Sequence, residues 1–383
     1  MSKPNTLADD LSGLNQLSHE GFVGVTEITE SLHQNILSFG GILNKSQQTG
    51  GLTGFIYRSV RFVANTSFQG SDWAIRQLSP VLPDVSHNQR RMRWLSMLNG
   101  VLGDYLVDTN NPLALFMAIV HGQQECNNQH AAEHWSDTSQ KPLLMVHGLC
   151  LNEQCWQAPG RHGQMLQKTG QFSPLYLRYN SGLAIAENGR KLSNMLNQVC
   201  AQMPANQSLD LLTHSMGGLV VRSALHAAQQ AGHHWPARVD KLIFLGTPHN
   251  GAYLEKTGAL TQYLLNISPY SRPFAQLTKR RSQGIQDLNS GRIHIGGRVS
   301  PIPSHIKTYA VAGHLQNKPA HLAGQIVGDG LVSVASALGN NTQKSGRLNL
   351  DKDHQFELPK VSHMGLLSDQ KVQELILSLL SNP

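Results

Sequence analysis

The chain has 383 residues, 40% of them apolar, which is enough for a substantial core and excludes global disorder. Its 31 Lys and Arg against 24 Asp and Glu give a net charge of +7. The basic residues are scattered rather than gathered into a stripe, so a nucleic-acid groove is not indicated, while contact with an anionic membrane surface stays open.

Residues 1 to about 135 read as helical. In GVTEITESLHQNILSFGGIL, the apolar Val25, Ile28, Leu32, Ile36 and Phe39 recur at steps of three and four, and Gly40-Gly41 supplies a stop. LTGFIYRSVRFV carries a second stripe through Leu52, Phe55, Ile56, Val60 and Val63. RRMRWLSMLNGVLGDYLV carries a third through Trp94, Leu98, Val101 and Tyr105, widened by Leu95, Leu102 and Leu106. Such stripes usually pack against other helices or a neighbouring domain. The competing expectation is peripheral membrane contact through these N-terminal helices, with Arg90, Arg91 and Arg93 beside the apolar residues. MSKPNTLADDLSGLNQ lacks the layout of a secretory leader, and PLALFMAIV is far short of the roughly 20 residues of a membrane span. Cys126, Cys150, Cys155 and Cys200 have no C-x-x-C pairing, so free thiols in a cytoplasmic compartment are expected.

HAAEHWSDTSQ, residues 130–140, is polar and aperiodic and reads as a linker. The domain boundary therefore falls near 138, with a helical region over 1–138 and a second domain over 139–383. Beyond it, short apolar runs alternate with helical stretches: PLLMVHG, SPLYLRY, LDLLTHS, VDKLIFLGTP, IKTYAVAG and HQFELPKV. This is the pattern of an α/β domain, a mainly parallel sheet covered by helices on both faces. Residues 250–305 break the rhythm with an insertion too long for a crossover loop, which suits a lid. Within it, LTQYLLNISPY is apolar and aromatic enough to cover an acyl chain.

LDLLTHSMGGLVVRSAL sets Ser215 between an apolar run and a helical one. A sharp strand-to-helix turn there would expose the hydroxyl as a nucleophile, and Gly217 and Gly218 supply the small neighbours such a turn needs. The bland alternative is a serine that satisfies a turn. Acyl transfer also needs two oxyanion donors. The N–H of Met216, just after the serine, is one candidate, and the N–H of Leu149, following His147-Gly148 at the end of an earlier run, is the other. The base is expected last in chain order. Among 19 histidines, His363 in ELPKVSHMGLL follows the final apolar run, whereas His354 precedes it. His214 adjoins the serine with its side chain expected to point away, and His147 and His249 flank the site loops. His233, His234 and His321 lack companions that would make a metal site. For the acid, Asp329 in IVGDGLVSVASALG fits the loop after TYAVAG, though Asp-Gly is also a common turn. Asp351 and Asp353 stand as alternatives.

VHGL, THSMGGLVVRS, FLGTPHNGA, DGLVSVASA and VSHMGLL, in that order, resemble the lipase and esterase branch of the α/β-hydrolase superfamily. They are most similar to lipases related to the GPI-inositol deacylases. The resemblance covers residues 141–383 and leaves the helical front part, an extension of the α/β-hydrolase fold, unexplained. It implies a serine hydrolase with Ser215, Asp329 and His363 as triad and Leu149 and Met216 as oxyanion donors. An ester or lipid substrate, an acyl-enzyme intermediate and no metal or organic cofactor go with it. Thr213 departs from the glycine usual two residues before the serine. An acyltransferase or thioesterase could use the same triad. A non-catalytic scaffold would not need all the parts in order.

Overall fold

The computed structural model describes residues 8–19, 65–71, 89–137, 139–252, 282–294, 301–316, 328–340 and 348–382. The chain divides into two compact units, residues 1–88 with 109–113, and residues 89–108 with 114–383. In the first unit, helices over 8–19 and 65–71 are tied by Asn15, whose Nδ2 donates to the carbonyl of Phe68 at 2.9 Å. Asn111 Nδ2 donates to the carbonyl of Gly13 at 3.0 Å, which places 109–113 in the same unit.

The second unit begins with α1 (Gln89–Asp108) and then a hairpin, β1 (Ala118–His121) and β2 (Gln124–Cys126). It continues through α2 (Asn128–Ser136), β3 (Lys141–Val146), α3 (Gln154–Gln157), α4 (His162–Lys168) and β4 (Phe172–Arg178). Next come α5 (Ile185–Gln202), β5 (Leu209–His214), α6 (Met216–Ala231) and β6 (Val239–Leu245). It closes with α7 (Gln283–Ser290), β7 (Lys307–His314), α8 (Val334–Ala337), β8 (Gln355–Pro359) and α9 (Gln370–Ser381).

The strands form one sheet in the order β2-β1-β4-β3-β5-β6-β7-β8. All pairings from β4 to β8 are parallel, and β1 runs antiparallel to both β2 and β4. The central strands are buried on both sides, so they read as continuous apolar runs rather than alternating ones. On one face Leu143, Met145, Tyr176, Leu212, Ile243 and Val311 meet Leu166 of α4 and Val372 and Ile376 of α9. On the other, α6 lies so close that a Cβ on Gly218 would sit 2.7 Å from Phe244 Cδ1, and α5 crosses α6 where Gly189 meets Ser223. The mainly parallel sheet between two helical layers is an α/β-hydrolase fold, with the β1–β2 hairpin at its antiparallel end setting β1, not β2, beside β4.

Two sequence expectations are corrected here. The sheet unit does not start near residue 139. It recruits β1 and β2, and α1 belongs to it rather than to a separate helical region. The hairpin leaves little periodicity in the sequence because its strands are four and three residues long. Its Gly122, at φ +60°, makes the tight reversal. The stretch read as a linker is helix α2, capped by Asn127 accepting from His130 N at 2.8 Å. Its buried side is only Ala131, Ala132 and Trp135, too narrow to show as a stripe. Trp135 nevertheless anchors it, with Nε1 donating to the Ser173 carbonyl at 2.9 Å.

Of the apolar stripe of α1, Leu95, Leu98, Val101, Leu102 and Leu106 are buried, while Trp94 and Tyr105 are half-buried. Gly100 and Gly103 let this helix lie against Cys150 and Asn180. The other two amphipathic stripes, LTQYLLNISPY and most of the expected lid lie outside the described residues; within 282–294 the insertion forms α7. Among the described residues no helix is long and apolar enough to cross a membrane.

Candidate active site

Because β3 and β5 to β8 run parallel, their carboxyl ends share one edge of the sheet, and the loops leaving them converge there. Ser215 follows β5 with φ 53° and ψ −126°, a conformation L-residues avoid, at a cost of about 1–3 kcal/mol. Neighbours hold it there. Ser215 N donates to the carbonyl of Leu245 at 2.8 Å, and the Ser215 carbonyl accepts from Gly218 N at 3.0 Å. The glycines that follow are required by contact: a Cβ on Gly217 would lie 2.5 Å from the His147 carbonyl oxygen, and one on Gly218 would lie 2.1 Å from Thr247 Oγ1. Thr213 fits despite its branched side chain, since its hydroxyl donates to the carbonyl of Ile243 at 3.1 Å.

The loop after β3 reaches the same point. Gly148 abuts Ser215, where an added Cβ would be 3.0 Å from the serine Cβ. Leu149 comes next and is buried. The loop is fastened on every side: Tyr179 Oη donates to the His147 carbonyl at 2.9 Å, and Cys150 N donates to Ser181 Oγ at 3.0 Å. Asn152 Nδ2 donates to Ser96 Oγ on α1 at 3.1 Å. Glu153, 2% exposed, takes both Nε and Nη2 of Arg178, whose Nη1 bonds Glu125 at 2.8 Å. Met216 heads α6, so its N–H is one of the amides a helix cannot pair internally.

Asp329 and His363 meet directly. His363 Nδ1 lies 2.7 Å from Asp329 Oδ2, and His363 N donates to the Asp329 carbonyl at 3.0 Å. A carboxylate only accepts, so Nδ1 carries the proton and Nε2 is the nitrogen that can act as a base. Asp329 Oδ1 accepts from the backbone N–H of Leu331 at 3.0 Å and of Val332 at 2.9 Å. The Asp-Gly turn and the histidine partner are therefore one residue: one oxygen builds the turn, the other meets the imidazole. Asp329 and His363 are each 3% exposed. Gly246, at φ +58°, makes room for the pair, since a Cβ there would be 3.2 Å from Asp329 Oδ2 and 3.3 Å from His363 Cε1. Asp351 and Asp353 are exposed at the start of β8, at the opposite edge of the sheet, beside His354.

The remaining site histidines are buried and held neutral. Burial pulls His147 down to about 4, and its ring stacks on Tyr179 with centroids 4.4 Å apart. Burial likewise pulls His249 and His214 well below the usual imidazole range. His249 Nδ1 accepts from Arg222 Nη1 at 3.1 Å. His214 Nε2 lies 3.1 Å from the His363 carbonyl oxygen. Several supporting groups were not legible in the sequence: His162, Arg178 with Glu153, and the polar side of α1. Gly246 alone carried a signal, as the glycine directly after an apolar strand in FLGTP. Among the described residues no group of His, Cys, Asp and Glu is arranged to hold a metal.

The fold is that of the α/β-hydrolases, and the solved structures the chain is similar to are distant ones. The family described as a domain of unknown function (DUF7379) matches residues 117–279. No curated protein matches the chain. Among solved structures, the chain is similar to the mature Bacillus licheniformis lipase BlEst2, at 19% identity and TM-score 0.43, covering 64% of this chain and 93% of that one. Aspergillus fumigatus lipase B is 13% identical with TM-score 0.41, over 65% of this chain and 54% of its own. The type II thioesterase YbtT of the yersiniabactin biosynthetic pathway is 14% identical with TM-score 0.42, over 70% of this chain and 97% of its own.

Proposed function

We propose that this chain is a serine hydrolase of carboxylic esters, acting through an acyl-enzyme on Ser215. The observation that carries the reading is the strained Ser215 turn at the same sheet edge as the Asp329–His363 hydrogen bond. His363 Nε2 takes the proton from Ser215 Oγ as that oxygen attacks the ester carbonyl. The negative charge gathering on the carbonyl oxygen is met by the N–H groups of Met216 and Leu149. Collapse of this intermediate breaks the bond to the alcohol, which leaves with the proton from His363. Water then attacks the acyl-serine by the same route and frees the acid. Asp329 fixes the tautomer and stabilises the imidazolium formed at each step. Each oxyanion donor of this kind is worth about 2.7–4 kcal/mol of barrier lowering.

The lipid or long-chain acyl preference, the narrower likeness to GPI-inositol-deacylase-like lipases and the peripheral membrane contact belong to the same proposal. The first rests on the apolar and aromatic composition of LTQYLLNISPY. A fluorophosphonate probe is expected to label Ser215 and no other serine, and an acyl panel of p-nitrophenyl esters is expected to favour long chains. An unlabelled Ser215 would end the serine-hydrolase reading. A steep preference for two- or three-carbon acyl groups would leave the esterase and remove the lipid. Including thioesters and alternative acyl acceptors in the panel separates hydrolysis of esters from thioesterase or transferase activity.

A further inference from the structure

His363 stands in a short irregular loop between β8 and the 3-10 turn Gly365–Leu367, where regular secondary structure fixes neither its backbone nor its aim. Besides the His363 N–H bond to the Asp329 carbonyl, two imidazoles from distant parts of the chain hold that loop. His214 Nε2 lies 3.1 Å from the carbonyl oxygen of His363, and His162 Nε2 lies 2.7 Å from the carbonyl oxygen of Leu366. Carbonyls only accept, so both rings carry their proton on Nε2. Both rings are fully buried and flank Trp156, with centroids 6.4 Å and 6.2 Å from its own.

His214 occupies a particular junction. It ends β5 immediately before Ser215, its ring centroid is 4.8 Å from that of His363, and a Cβ on Gly148 would lie 3.2 Å from its Nδ1. One ring therefore touches the loops that follow β3 and β8 while its own backbone leads into the serine. Serine turn, oxyanion loop and base loop are indexed to each other through it. His162 fixes the far end of the base loop, three residues on. Burial favours the neutral form of each ring, pulling His162 down to about 4.

We infer that His214 and His162 are positioning residues, whose two Nε2–H groups clamp the His363–Leu366 backbone and so aim the His363 imidazole at Ser215. Neither touches substrate in this scheme. The inference rests on the reading of Ser215 and His363 as nucleophile and base. What matters is a neutral N–H donor at the right reach, which glutamine can mimic through its Nε2 and leucine cannot.

The test compares His214→Gln with His214→Leu, and His162→Gln with His162→Leu, in the full chain. The leucine variants are expected to lower kcat about a hundredfold with KM near wild type, the cost of a base displaced by roughly an ångström. The glutamine variants are expected to stay within several-fold of wild type. The low-field NMR resonance of the His363 Nδ1 proton shared with Asp329 is expected in wild type and the glutamine variants, and broadened or lost in the leucine variants. Leucine variants as active as wild type would overturn the inference, as would equal losses in leucine and glutamine. If His214→Leu does not fold by near-ultraviolet circular dichroism, the His162 pair decides. A wild type whose Ser215 resists the fluorophosphonate removes the enzymatic reading alone, and the NMR comparison still decides whether the clamp exists.

Discussion

The serine turn and the Asp329–His363 pair sit at one edge of the sheet but are built by opposite means. Ser215 is placed by backbone: a positive φ, an amide bonded to the next strand, and glycines pressed against neighbouring chain ends, all within a few residues of sequence. Asp329 and His363 are placed by side chains that meet across 34 residues, with the His363 loop tied down by carbonyl-seeking groups from elsewhere. A strained turn must be written locally, because only glycine at fixed offsets tolerates the crowding. A side-chain meeting can be written anywhere the fold brings together.

Substitutions sharpen this contrast. Ser215→Ala, which removes the proposed nucleophile without touching the turn, is expected to lower ester turnover by about a millionfold and to abolish fluorophosphonate labelling. Circular dichroism should show the fold intact. On the distributed side, Asp329→Asn is expected to cost on the order of ten-thousandfold in kcat through the wrong imidazole tautomer, with Asp351→Asn and Asp353→Asn near wild type. A crippled Asp351 or Asp353 variant would reassign the acid.

Acid should loosen the side-chain scaffold as a whole. His147, His162, His214 and His249 have folded-state pKa values below the ordinary 6.5, those of His147 and His162 being about 4. A depressed imidazole leaves the unfolded chain binding more protons between the two values. Stability is then complete above about pH 6.5 and is lost as pH falls toward 4, by roughly 3 kcal/mol for each group lowered that far. Asp210 opposes this: burial raises it to about 7, so its contribution declines as pH rises from 3.8 through that value. Four imidazoles against one carboxyl fix the net direction. Denaturant midpoints at pH 7 and pH 4.5 check it, and an unchanged or higher midpoint at pH 4.5 would show that the rings are not held neutral. The smallest effect is expected from Gly217→Ala, whose methyl would meet the His147 carbonyl oxygen at 2.5 Å. About 1–3 kcal/mol of stability should be lost, read as a lower denaturant midpoint, and an unchanged midpoint would mean the strand ends are less tightly opposed.

What could be read from the chain follows the same division. Strands β3 to β6 are legible because burial on both faces makes them largely apolar, and Ser215 is legible because MGG follows it directly. Asp329 was legible only as one of three carboxylates, and chain order favoured it without placing it 2.7 Å from His363. The hairpin β1–β2 and helix α2 are not legible, since three or four residues and a narrow buried stripe carry little periodicity. Helix α1 is legible as a helix but not as part of the sheet unit, because an apolar stripe records that it is buried and not against what.

By itself the sequence determined the alternation of strands and helices and the glycine-bound serine turn, since hydrophobic period and steric tolerance are properties of adjacent residues. Only the tertiary structure decided which carboxylate meets His363, which helix backs the Leu149 loop, and that His214 and His162 turn inward onto the His363–Leu366 backbone. Those choices depend on distances between residues far apart in the chain, and such distances exist only once the sheet has gathered its strand ends along one edge.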